Sequence, residues 1–107
     1  MATGILGTAS LATATNTTVY TVPAATFSVA TVNLVNRDAA GNANVRIGLS
    51  ATGTPADAEW IEYDTELVAN GVLERSGLVL DATKNVVVYS STNTVSAVVY
   101  GIETPTS

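Results

Sequence analysis

Between residues 43 and 49 apolar and polar positions alternate without a break: Ala43, Val45, Ile47 and Leu49 against Asn44, Arg46 and Gly48. A period of two marks a strand with one face in a core and the other toward solvent or a partner. Residues 19–22 form a shorter β segment stopped by Pro23, which has no amide proton to give a ladder. In residues 26–36 the apolar set starts on the face of Phe27 and Val29 and changes parity to Val32 and Leu34. That change predicts a bulge near Ala30 and Thr31, or burial on both faces, and places the segment centrally in a sheet. Residues 18–49 thus read as strand, turn, strand, turn, strand, the block around which the chain is organised.

The rest continues in the same idiom. In residues 59–66, Ile61, Tyr63 and Thr65 are expected on one face, with Trp60, Glu62, Asp64 and Glu66 on the other. Asn70-Gly71 between apolar flanks predicts a hairpin, and Ser76-Gly77 predicts a further break. Residues 86–89 read as a buried strand and residues 94–102 as a strand with Val95, Ala97 and Val99 opposing Ser96, Val98 and Tyr100, set off by the turn chemistry of residues 81–85 and 91–93. Residues 50–58, punctuated by Gly53 and Pro55, read as a protruding contact loop. Tyr20, Tyr63, Tyr89 and Tyr100 all fall in strands, where packing is the expected role.

No helical period, repeat or internal boundary appears. Short strands separated by turns at intervals of about 8 to 12 residues predict an all-β domain, an antiparallel β-sandwich or barrel of jelly-roll or Ig-like type. The expected organisation is an N-terminal arm or edge strand (1–15), a β-sandwich (16–103) and a frayed tail (104–107). A length of 107 residues suffices for one core without covalent staples.

Composition narrows the chemistry. Charged residues make up 12% of the chain, about half the roughly 25% of ordinary globular domains. Thr, Ser, Asn and Ala must therefore cover much of the surface, and such a surface suits permanent contact with neighbours because little charge has to be desolvated. The chain has no cysteine and no histidine, which excludes disulfides, thiolate metal sites, a cysteine nucleophile and the commonest general base. With a net charge of −5 and only Arg37, Arg46, Arg75 and Lys84 as dispersed cations, no nucleic-acid partner is expected. The first six residues lack the basic and long apolar regions of a secretory leader, and no apolar run approaches the roughly 20 residues of a membrane-spanning helix. A soluble product made in the cytosol, with no membrane partner, is the expectation.

One polar cluster invites weighing. If residues 59–66 are extended, Glu62, Asp64 and Glu66 share a face beside Trp60 and could offer hard oxygen ligands to calcium, but the loop chemistry of a dedicated site is missing. A glycosidase pair needs carboxylates on opposite sides of a cleft, whereas neighbours on one strand point the same way. Weak stacking of a sugar on Trp60 is compatible with the residues, although a core or interface role for Trp60 is the simpler reading. No enzymatic activity, catalytic residue, metal or cofactor is expected. Trp60, Glu62, Asp64, Glu66 and Leu11 are the candidate interface residues, with edge-strand pairing as a further mode of contact.

The phrases Val19-Tyr20-Thr21-Val22-Pro23-Ala24, Val32-Asn33-Leu34-Val35-Asn36-Arg37, Ile61-Glu62-Tyr63-Asp64, Val88-Tyr89-Ser90-Ser91 and Val98-Val99-Tyr100-Gly101-Ile102-Glu103 resemble small virion structural proteins of tailed bacteriophages, nearest to those of phages of cyanobacteria and other aquatic bacteria. The resemblance spans residues 18–103 and includes no catalytic signature. It implies a β-sandwich accessory component of the particle, made in the host cytoplasm and located in the virion. Capsid decoration or cement is the first expectation. A neck, tail or baseplate position and a carbohydrate-binding module of a host-recognition fibre are the alternatives. The implied partners are further copies of the chain and major virion proteins such as the capsid protein.

Overall fold

The structure, a computed structural model, describes residues 3–106; residues 1, 2 and 107 of the expected arm and tail lie outside the described residues. Eight strands account for the fold: β1 (Thr3–Ser10), β2 (Thr17–Thr21), β3 (Thr26–Asn36), β4 (Ala43–Ser50), β5 (Trp60–Leu67), β6 (Val72–Leu80), β7 (Asn85–Ser90) and β8 (Val95–Pro105). They form two four-stranded sheets, sheet A in the order β1-β8-β3-β6 and sheet B in the order β2-β7-β4-β5, with every pairing antiparallel. Every connection except β4–β5 carries the chain from one sheet to the other. This is the strand order of a jelly roll, two Greek keys wound into a double-sheet sandwich. The all-β sandwich expected from strand spacing is therefore the observed fold.

The core lies between the sheets. Alternation on β4 buries Ala43, Val45 and Ile47, and these meet Val32 and Leu34 of β3, Val86 and Val88 of β7, and Val95, Ala97 and Val99 of β8. Each large side chain so buried contributes roughly 1.5–3 kcal/mol relative to exposure. The strands β3 and β8 form the longest ladder, running without a shift from Thr26↔Pro105 to Asn36↔Val95. Residues 104 and 105 therefore do not fray; they close this ladder, and Thr106 N–H donates to Ala25 C=O at 2.9 Å.

β3 is central as expected, but its parity never changes. Ser28, Ala30, Val32, Leu34 and Asn36 all point inward, while Val29 is exposed. The irregularity near Ala30 belongs to the partner: Ala30 pairs with Leu78 and Val32 with Arg75, so the extra residue sits on β6 at Ser76-Gly77. Gly77 takes φ +73° there, the left-handed geometry that glycine supplies at a bulge. The expected break is thus a bulge within one strand.

Asn70-Gly71 makes a turn, with Asn70 at φ 56° and Gly71 N–H donating to Val68 C=O at 2.8 Å. It is not a hairpin, because β5 and β6 lie in different sheets. The turn instead docks on the β3–β4 connection through Asn70 N–H to Asp38 C=O at 3.0 Å. Beneath it the fully buried Asn36 amide donates to Gly41 C=O and Leu67 C=O, and its oxygen accepts from Asp38 N–H and the Thr94 hydroxyl. One side chain thereby ties three crossovers together at one end of the sandwich.

Candidate functional site

Interior ladders are regular; edge ladders are not. The β3–β8 and β4–β7 pairings run without a shift, whereas each of the four edge strands carries an extra residue: Leu6 on β1, Val19 on β2, Ser76-Gly77 on β6, and both Ile61 and Tyr63-Asp64 on β5. Bulged edges twist away from a would-be added strand. Edge-strand pairing, expected as one mode of contact, is therefore disfavoured on all four edges, which leaves the two outer sheet faces.

The outer face of sheet A follows from register. Ile102 pairs with Val29, and Val29 with Val79, so three apolar side chains lie in a row across β8, β3 and β6; Ile5 on β1 belongs to the adjacent row, opposite Tyr100. Ile5 and Val79 are largely open to solvent, at 71% and 69% exposure. Phe27, Val35, Val72, Val98 and Tyr100 continue the surface, and among the described residues Glu74 is the only charged one that the register places on it. Its carboxylate accepts from the Tyr100 hydroxyl at 2.9 Å, a bond that raises the Tyr100 pKa. At the rim Arg37 folds onto the Ser10 hydroxyl and Asn93 C=O. Four strands of about seven residues present a face of roughly 500 Å², on which the apolar side chains alternate with Thr3, Thr8, Thr31, Asn33, Ser96 and Thr104.

The outer face of sheet B has the opposite character. Arg46 projects from β4 and donates to Asp64 at 2.6 and 3.3 Å, which raises the guanidinium pKa further. The same guanidinium lies 4.1 Å from the Tyr63 ring centre, 4.3 Å from that of Tyr89 and 5.9 Å from that of Trp60. Trp60 and Tyr63 meet edge to face, 5.7 Å apart at 67°. Trp60 leans over Gly48, where a Cβ would come within 3.0 Å of its ring and 2.8 Å of Pro55.

The loop between β4 and β5 does not protrude. Pro55 is buried against Gly48, and Gly53 approaches Thr18 across the sheet. Gly48, Val87 and Thr18 form one row of the ladder, so the loop crosses above Val87, and Val87 is fully buried although it faces outward. The Ser50 and Thr52 hydroxyls pin the loop internally. A short 3-10 turn, Asp57–Glu59, then leads into β5, where Glu59 accepts from Ala56 N–H and is held below the usual carboxylate range by that bond. Asp57, Trp60 and Tyr63 line an open depression of about 430 Å³.

The expected interface residues separate. The two bulges of β5 break the acidic face: Glu62 turns to the flank of the sandwich and pairs with Arg75 at 2.6 Å, Asp64 faces outward onto Arg46, and Glu66 is exposed opposite Asn44. Tyr63, expected beside Ile61 and Thr65, instead joins Trp60 on the outer face at 57% exposure. Tyr100 is likewise on an outer face, whereas Tyr20 is in the core as expected. Leu11 is not available to a partner; it is buried in the core, and its amide donates to Val95 C=O. Among the described residues, no group of three or more acidic side chains converges as a metal site. The sheet A face went unnoticed in the sequence because its members lie on four strands whose registers no local pattern reveals.

Compared with protein-family models, with curated proteins and with solved structures, the chain matches none.

Proposed function

We propose that this chain is a non-enzymatic structural subunit of a tailed-bacteriophage particle, acting as a capsid decoration or cement protein. It would stabilise the particle by seating the outer face of sheet A on further copies and on a major virion protein such as the capsid protein. The observation that carries the reading is the apolar row Ile102–Val29–Val79, with Ile5 in the adjacent row, on a face whose register includes one charge among the described residues. Burying such a face costs little desolvation, and a stable single interface needs about 800 Å² from each partner. The roughly 500 Å² available suits a subunit held by several neighbours at once, as in a lattice of many copies. Jelly rolls serve in viral capsids and in lectins alike, so the fold supports the reading by analogy only.

Mass spectrometry of purified particles tests membership: the chain is expected in intact virions, and its absence from them would sink the proposal. Copy number then fixes the position, since hundreds of copies fit capsid or tail tube and a few tens or fewer fit the alternative of a neck or baseplate accessory.

A further inference from the structure

We infer that the depression lined by Trp60, Tyr63 and Asp57 on the outer face of sheet B is a saccharide site that packs a neutral pyranose ring against its two aromatic walls. Tyr63 is more than half exposed, yet it is fixed in place. It sits in a bulge beside Asp64, which holds φ +51°, a conformation that costs a non-glycine residue energy and recurs at binding sites. The Arg46 guanidinium stacks on its ring while held by Asp64 through two hydrogen bonds. Trp60 is fixed in turn by Gly48 and Pro55 below it. Two rings at 67° form a corner in which little side-chain freedom remains to be lost on binding.

The ligand class follows from what the corner already contains. A cation over these rings is disfavoured because Arg46 occupies that position 4.1 Å from Tyr63. An anion is disfavoured by the Asp57 carboxylate, the charged group among the lining residues, while Arg46 is already neutralised by Asp64. An uncharged ring with one C–H face and peripheral hydroxyls suits the aromatic walls, and Asp57 can accept a hydrogen bond from a hydroxyl, since no cation pairs with it among the described residues. The depression, about 430 Å³ and open to solvent, has room for a single sugar ring held from one side. This site lies on the sheet opposite the assembly face and does not depend on the assembly reading.

Trp60 is the sole tryptophan, so intrinsic fluorescence reports this corner directly. A printed array of neutral oligosaccharides followed by fluorescence titration of the hits, with tetramethylammonium chloride as a parallel probe, tests the inference on the full chain. The expected result is saturable binding of at least one glycan with a Kd of about 0.1–10 mM. Affinity should weaken at least about tenfold in both Tyr63→Ala and Asp57→Asn, with the melting temperature of Asp57→Asn unchanged. A saturable response to tetramethylammonium without one to any glycan, no response to any probe, or binding that survives both substitutions would overturn it. Charged substitutions on sheet A should leave the titration unchanged, which separates failure here from failure of the assembly proposal.

Discussion

Glu62 of β5 and Arg75 of β6 meet at 2.6 Å and tie the edge of sheet B to the edge of sheet A. Both sit at inward-facing register positions beside a bulge. The bulge at Ile61 aligns Glu62 with the core residue Ile47, and the bulge at Ser76-Gly77 aligns Arg75 with the core residue Val32. The Thr65 hydroxyl donates to the second carboxylate oxygen at 2.9 Å, so Glu62 is oriented before it is paired. Because the pair remains partly open to water, Arg75→Ala is expected to cost about 0.5 to 1 kcal/mol in urea denaturation. That difference should shrink at high salt as the charges are screened.

The Asn36 side chain matters more, since it is fully buried and bonded to backbone groups of Gly41, Asp38 and Leu67 and to the Thr94 hydroxyl. Asn36→Ala strands the carbonyls of Gly41 and Leu67 without donors. A loss of about 2 to 3 kcal/mol in urea denaturation is expected. Hydrogen exchange should quicken at Asp38 and Asn70, the amides that hold this end together.

On the other flank, Tyr20 of β2 donates to the buried Glu103 carboxylate of β8 at 2.5 Å, again bridging the sheets. Burial first, and this bond second, push the Tyr20 pKa up to about 12 from 10.0. A folded-state pKa above the unfolded value stabilises fully below the unfolded value, and the contribution drains away as pH rises between the two. Stability is therefore expected to hold up to about pH 10 and to fall between about pH 10 and 12. Tyr20→Phe should flatten that alkaline decline while lowering stability at neutral pH, because the hydroxyl bond between Tyr20 and Glu103 is lost. Urea melts across this pH range, with the 295 nm tyrosinate absorbance recorded alongside, check both outcomes.

Much of the fold was legible because period-two patterning is local. The alternation of Ala43 to Leu49 located β4 and its inward face, and the apolar run of residues 26–36 located the centre of sheet A. What escaped was relational. A bulge is defined against a partner strand, so the irregularity at Ser76-Gly77 could be attributed in sequence to Ala30, its neighbour across the ladder. Asp64 takes a left-handed conformation without the glycine that would announce it, so the acidic residues of β5 read as one face when they occupy two. Asn70-Gly71 does make the tight turn its chemistry favours, but whether a turn joins neighbours in one sheet or crosses between sheets is decided by the whole packing. Both outer faces arise from such pairings, which is why Trp60 was visible in the sequence and its companion Tyr63 was not.

The assembly proposal stands or falls on the face of sheet A. Val29→Glu and Ile102→Glu place charges in the middle of the apolar row, and because the two positions pair directly across the ladder, the like charges should cost the folded monomer about 1 to 2 kcal/mol without preventing folding. The decisive measurement is the copy number of wild-type and Val29→Glu/Ile102→Glu chains in purified phage particles, with circular dichroism melting to confirm that both fold. The expected result is wild-type chain in every particle and loss of the doubly substituted chain from them. Equal incorporation of the two chains would contradict the role assigned to this face.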